Sequence, residues 1–358
     1  MSNRAWSNII RGVALGDAWG DPVEFASIGM ITAQDPKGPG IPNKLRITDD
    51  TQMTLYLASA LDETWDWPMA KVQWAIREAF LEYAVDPDNN RAPGMTVMSS
   101  LRRLKDTAHW QEATSQTSDG SGTVMRTSPT AFLPEDRWVG ATAYAAAITH
   151  GSSTGIAAAI LNVKILRDLM TGKVQVGNLL WHALELCSAA QEYGLTEVGE
   201  WLDGYQVDLV KGFDFIYTLV EKALAALPEL RGDPWALTSD PSMAVPEGPA
   251  KGGGWRAPFT LVIAMLAVDM LPGKPLDALR RSVATDGDSD TIGAVTGALL
   301  GAAYPEVFTT LWNDGLVDRF EPRYIAWIEN EADDYPFEDF ALVRQPRKGW
   351  LKGLLGRR

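Results

Sequence analysis

Residues 152–171 read SSTGIAAAILNVKILRDLMT. Ile156, Ile160, Val163 and Met170 share one side of a helix of this stretch, with Lys164, Arg167 and Asp168 elsewhere. The three small residues Ala157, Ala158 and Ala159 favour a helix that packs closely. The same period returns in 51–62, 70–84, 139–149, 176–193, 214–227, 258–271 and 291–304. Convincing alternating strands are absent. The expected fold is all-α, a single compact multi-helix domain over 1–342 followed by a basic tail, 343–358.

Composition narrows the function. Hydrophobic residues make up 46% of the 358, enough to bury a sizeable core. Acids outnumber bases 46 to 32, a net charge of −14, so a general basic face for nucleic acid is excluded. The single cysteine, Cys187, excludes zinc or iron–sulfur sites built from four thiolates, and three histidines argue against a His-rich zinc site. A metal here would be a hard one held by oxygen. Ile9, Ile10, Val13, Ala14 and Leu15 do not make a signal peptide, because Arg11 and Asp17 break the run. No stretch reaches the roughly 18 apolar residues of a membrane span. A soluble, cytoplasmic protein is expected, and one unpaired cysteine suits a reducing interior.

Three loops stand out. Residues 26–47 are rich in Pro and Gly, and 86–94 hold the turn cluster Asp86-Pro87-Asp88-Asn89-Asn90. Residues 228–258 contain six prolines and the run Gly252-Gly253-Gly254. This last segment reads as a surface loop within one domain rather than a linker.

Two acidic clusters precede helical segments. Thr48-Asp49-Asp50-Thr51-Gln52-Met53 fits an N-cap with acids facing the helix dipole. Asp286-Gly287-Asp288-Ser289-Asp290-Thr291 fits capping plus a turn, but also a loop that aims alternate carboxylates at one cation. An EF-hand is excluded, since its sixth and twelfth positions would be Thr291 and Gly297. A terpenoid-synthase DDxxD motif is disfavoured by Met53. If the clusters meet, Asp49, Asp50, Asp288 and Asp290 repel one another, and two magnesium ions would balance them. The helix after the second cluster carries Gly293, Gly297 and Gly301, a smooth face for a close neighbour.

The sequence resembles the ADP-ribosylglycohydrolase family, the all-α hydrolases that include the dinitrogenase-reductase-activating glycohydrolase. Gly16-Asp17-Ala18-Trp19-Gly20-Asp21-Pro22-Val23-Glu24 is similar to the family's G-D-A-x-G-x-P-x-E opening. Thr48-Asp49-Asp50-Thr51-Gln52-Met53 follows, then the turn Ala92-Pro93-Gly94-Met95-Thr96. Gly120-Ser121-Gly122-Thr123-Val124-Met125-Arg126 through Pro129 resembles G-N-G-x-x-M-R-x-x-P, and Thr149-His150 a T-H pair. Asp288-Ser289-Asp290-Thr291 resembles the closing D-x-D-T. Each match is weak alone, but six in order over 12–302 are strong.

The resemblance implies a binuclear site for two Mg2+ ions, with Mn2+ as a substitute, on Thr48, Asp49, Asp50, Asp288, Asp290 and Thr291. It implies an ADP-ribose cleft bounded by Gly120, Ser121, Gly122, Met125 and His150, with Glu24 on or next to a mobile loop that 26–47 fits. Glu24, Asp49 and Asp290 are the candidate catalytic acids. Ser121 replaces the family's Asn, a hydroxyl in place of an amide. The activity implied is hydrolysis of the bond between ADP-ribose and a protein side chain, arginine foremost. Serine-linked, polymeric and O-acetylated ADP-ribose are alternatives. An immunity-type protein that also binds an ADP-ribosylating toxin is the competing class, and a crystallin-like member with a dead site a third. His150 is also explained by a helix C-terminus that stabilises a charged ring. Trp19 and Trp255 are candidates to stack on adenine or line the cleft.

The charge is unevenly spread. Residues 343–358 hold six bases and no acid, leaving 26 bases against 46 acids elsewhere, a net of −20. A solvated tail is the simple reading. A weak membrane or partner anchor through Trp350, Leu351, Leu354 and Leu355 is the sharper one.

Overall fold

The computed structural model describes residues 3–190, 195–247 and 253–332. The tail 343–358 and the domain boundary at 342 lie outside the described residues. The described chain is helical throughout, and its extended pairings are isolated bridges at Leu45–Phe320, Ser115–His150 and Gly120–Arg256. No helix among the described residues is long and apolar enough to cross a membrane.

The helices that place the site are α1 (Asn3–Gly20), α2 (Asp49–Thr64), α3 (Trp138–Ala147), α4 (Ser153–Met170) and α5 (Leu209–Gly232). After them come α6 (Ala257–Met270), α7 (Pro275–Val283), α8 (Ser289–Ala303) and α9 (Pro322–Ala332). Every residue of α6 is buried, as expected of a helix apolar on all sides. It packs on α4, α5, α7 and α8. In α4 the polar residues are also enclosed: Arg167 donates to the carbonyls of Ala131 and Leu133, and Asp168 accepts from Lys164 and His182.

The most extensive helix pair is α1 against α8, and glycine makes it possible. A Cβ on Gly12 or Gly16 would land on the carbonyl of Gly297 or Gly293, and the reverse holds for those two. Gly20 lies against Ser289 and Asp290, and Gly301 against Asn8 and Ile9. The numbers run in opposite directions, so the helices are antiparallel with backbones in direct contact. The smooth face of α8 therefore receives a helix. Its partner face, Gly12, Gly16 and Gly20, has the same four-residue spacing, and residues 3–20 are one helix despite Arg11 and Asp17.

Two segments differ from the sequence reading. Helix α5 continues to Gly232 with Pro228 inside it, so the loop begins later. Where 176–193 suggested a long helix, the helix is Leu179–Ser188, preceded by left-handed turns at Gly172 and Gly177; residues 191–194 lie outside the described set. Residues 237–247 pack onto the body, with Asp240 and Val245 buried, so this segment is no linker.

Gly297→Val is expected to lower unfolding stability by ~3 kcal/mol or more, because backbone rather than a flexible side chain must yield. Gly199→Ala, whose Cβ would meet nothing within 4 Å, is expected to be neutral or stabilising by ~0.5–1 kcal/mol. Chemical denaturation of both variants checks this. Equal effects would contradict the backbone contact.

Candidate active site

The α1–α8 contact carries the two ends of the chain's acid pattern together. Gly20 sits on Ser289 and Asp290, so the short turn of helix Asp21–Val23 and then Glu24 emerge beside the start of α8. Carboxylate oxygens of Glu24, Asp288 and Asp290 lie within 4.8 Å of one another. The start of α2 joins from the other side, where Thr291 Oγ1 lies 3.4 Å from Asp50 Oδ2.

The first cluster is held by its own cap and by Asp17, to which the sequence reading gave no role beyond its place in the opening motif. Thr48 caps α2 by accepting from the Asp50 N–H. Asp17 of α1 is fully buried and accepts from the Thr48 N–H at 3.0 Å and the Thr51 N–H at 3.1 Å, and from the Thr51 hydroxyl. Asp49 Oδ2 accepts from the Gly94 N–H at 3.1 Å, which fixes the Ala92-Pro93-Gly94 turn against the site. Asp50 Oδ1 is buried without a hydrogen-bond partner among the described residues.

In the second cluster, Asp288 occupies the N-cap position but makes no side-chain cap bond. Ser121 lines the same cavity, and its hydroxyl favours the charged form of the Asp288 carboxyl against the larger effect of burial. Asp290 accepts from the Thr291 N–H at 2.9 Å. Asp286 holds the neighbouring loop, since it accepts from the Ile28 N–H and its own N–H donates to buried Asp240.

A cavity of about 390 Å³ is the meeting point. Glu24, Asp49, Asp50, Asp288, Asp290 and Thr291 line it, together with Gly120, Ser121, Gly122, Met125 and His150. Of the expected metal ligands, Thr48 stands back from the lining, buried with its Oγ1 3.4 Å from Asp50 Oδ2. The 92–97 turn forms a further wall, a contribution signalled in the sequence only by its resemblance to a family turn. A larger opening of about 480 Å³ over residues 198–210 has one acid in its lining, Asp208, which is paired with Lys211.

Trp255 lines the cleft, stacked on Phe25 with ring centroids 5.4 Å apart. Phe25 takes a left-handed turn (φ 66°) just after Glu24. Gly254 (φ 107°) lets the 253–256 loop lie against Asp288 and Ile292, which a side chain there would prevent. Trp19 is buried and donates to the Pro39 carbonyl, so it belongs to the core and not to the cleft. Residues 26–47 are tied down by that bond, by Ile28 to Asp286, and by Arg280 to the Gly38 carbonyl. His150 is buried and its pKa is pushed down to about 3 by burial and the Arg126 charge. Burial beside the Arg126 charge disfavours a charged ring, and the ring lines the cavity.

Burial and mutual repulsion raise every acid here. Desolvation first and the Asp290 charge second push Asp17 up to about 7 and Glu24 up to about 8. The same two causes hold Asp49, Asp50 and Asp288 well above the usual carboxylate range. Desolvation raises Asp290 itself. An all-oxygen, strongly acidic pocket with an orphaned carboxylate oxygen is what a hard divalent cation needs. Glu24, outside the expected ligand set, is part of that donor cluster.

The comparisons agree with this geometry. The sequence pattern of the ADP-ribosylglycohydrolase family matches residues 8–346, so the chain belongs to that family. An uncharacterized protein of Archaeoglobus fulgidus is 25% identical over 323 residues, covering 87% of this chain and 91% of that protein. A solved structure, an ADP-ribosylglycohydrolase-related protein complex, shares the fold with a TM-score of 0.56 at 21% identity, over 92% of this chain and 96% of that one. The family hydrolyses N-glycosyl bonds of ADP-ribose, and the chain is a glycosidase of this type.

Raised folded-state pKa values have a definite sign. Unfolded carboxyls titrate near pH 4, so without metal the folded chain loses stability as pH rises from about 4 through the values near 7 and 8. In chelator, the melting temperature is expected to fall between about pH 5 and pH 8, and added Mg2+ is expected to restore most of the loss. A melting temperature that rises over this range, or ignores Mg2+ at about pH 8, would contradict the site.

Proposed function

We propose that the chain is a Mg2+-dependent hydrolase that removes ADP-ribose from a modified protein side chain, with arginine as acceptor. The observation that carries this is the convergence of Glu24, Asp288 and Asp290 within 4.8 Å, on a cavity shared with Asp49, Asp50 and Thr291. Thr48, Asp49, Asp50, Asp288, Asp290 and Thr291 would hold two divalent cations, Mg2+ or Mn2+, which when bound supply positive charge and orient the ribose hydroxyls and water.

The chain's own residues do the rest. Asp49 is held by the Gly94 N–H and Asp290 by the Thr291 N–H. Glu24 is only half-buried, at the end of a short turn, and faces both Asp288 and Asp290. Glu24 takes the proton of the attacking water, with Asp49 and Asp290 as its neighbours in the site. The carboxylates stabilise positive charge as it builds on the anomeric carbon. The Gly120–Gly122 backbone lines the cleft, and the absence of side chains there leaves room for the His150 ring.

The acceptor assignment follows from charge and access. A ribosylated guanidinium is a cation in the substrate and suits an acidic site. Phe25 (76% exposed) and Met95 (90% exposed) stand at the cavity wall, leaving room for a polypeptide at the mouth. The buried Cys187 and the acidic surface fit a cytoplasmic setting.

Release of ADP-ribose from an ADP-ribosyl-arginine protein, measured with Mg2+ and with chelator, tests the reading. Release is expected only with Mg2+, and Glu24→Gln is expected to lower kcat by ~10²–10⁴ with cation affinity largely kept. Release that continues in chelator, or at full rate in Glu24→Gln, would overturn it.

A further inference from the structure

Two sequence elements that are 23 residues apart form one buried chain of hydrogen bonds. Arg126 follows the Gly120-Ser121-Gly122 turn and is fully buried, its guanidinium 4.7 Å over the Phe80 ring. Its Nη2 donates to the Ala145 carbonyl and to Thr149 Oγ1, at 2.8 and 2.5 Å. Thr149 Oγ1 in turn lies 2.7 Å from His150 Nδ1. A guanidinium only donates, so the Thr149 oxygen accepts from Arg126 and its own proton needs another acceptor. Among the described residues, the partner within reach is His150 Nδ1.

We infer that Arg126 and Thr149 are positioning residues that lock His150 in its Nε2–H tautomer, so that the ring donates a hydrogen bond from the cleft wall to an acceptor oxygen of the bound nucleotide. The geometry on the cleft side agrees. A Cβ on Gly120 would stand 3.0 Å from Nε2, and one on Gly122 would stand 2.9 Å from Cε1. The ring edge thus lies directly on the glycine turn, where no larger residue fits, and it lines the cavity. The depressed pKa keeps the ring neutral at working pH, so it serves as a fixed donor rather than an acid or base. The ligand is a phosphate or ribose oxygen, an assignment that rests on the ADP-ribose reading above. The relay itself does not.

The test uses the 15N-labelled full chain and long-range proton–nitrogen spectra of its three histidines. His150→Gln assigns the signal. The unaltered chain and Thr149→Ser are expected to show Nε2 protonated and Nδ1 bare, before any ligand is added. Thr149→Val, which keeps the shape and removes the hydroxyl, is expected to populate the Nδ1–H form and to bind ADP-ribose about five-fold more weakly or worse. An Nδ1–H ring in the unaltered chain overturns the relay. So does Thr149→Val with both tautomer and ADP-ribose affinity unchanged. An Nε2–H ring in a chain that does not bind ADP-ribose overturns the assigned ligand and the proposed function, and leaves the relay standing.

Discussion

The site depends on backbone meeting backbone between α1 and α8. Gly12 and Gly16 on one helix and Gly297 and Gly293 on the other leave no space for any Cβ between them. That contact is short-ranged and unforgiving, since packed backbones cannot rotate away as side chains do. It sets where Gly20 lands, on Ser289 and Asp290. Glu24 and Asp288, remote in sequence, become neighbours through it. Close packing of small residues is the means by which the fold brings like charges together.

Those charges oppose folding, and the structure divides them into two kinds. Asp17 and Asp286 spend their oxygens on N–H groups, of Thr48 and Thr51 in one case and Ile28 in the other. They fix the start of α2 and the 26–47 loop. Asp50 keeps Oδ1 without a partner among the described residues, and Asp288 stands at the start of α8 without making a side-chain cap bond. Asp17 and Asp286, held by N–H groups, fix the frame, while Asp50 brings a carboxylate oxygen without a partner to the cavity. In the proposed function a divalent cation would relieve this repulsion, so stability and activity would depend on the same ion.

Much of this was legible from residues close together in the chain. The helical period, the Thr48 cap, the two acid clusters and the glycine spacing of α8 are local patterns, and all appear in the structure. What depended on distant partners was not legible. Asp17 looked like an interruption of an apolar run, because the N–H groups it accepts from are 31 and 34 residues away. Trp19 looked like a cleft residue until its N–H was found on Pro39. Pro228 read as a helix end, yet α5 runs through it. His150 read as a helix-end residue that would favour charge, and its burial beside Arg126, not visible in the local sequence, lowers its pKa instead.

Titration of Mn2+ into the metal-free chain, followed by the paramagnetic signal of the free ion, tests the convergence most directly. The proposed binuclear site predicts two tightly bound ions in the unaltered chain. It also predicts that Asp50→Ala in the first cluster and Asp288→Ala in the second each weaken that binding strongly. No tight binding, or binding that one of these substitutions leaves unchanged, would show that the two clusters do not form one site.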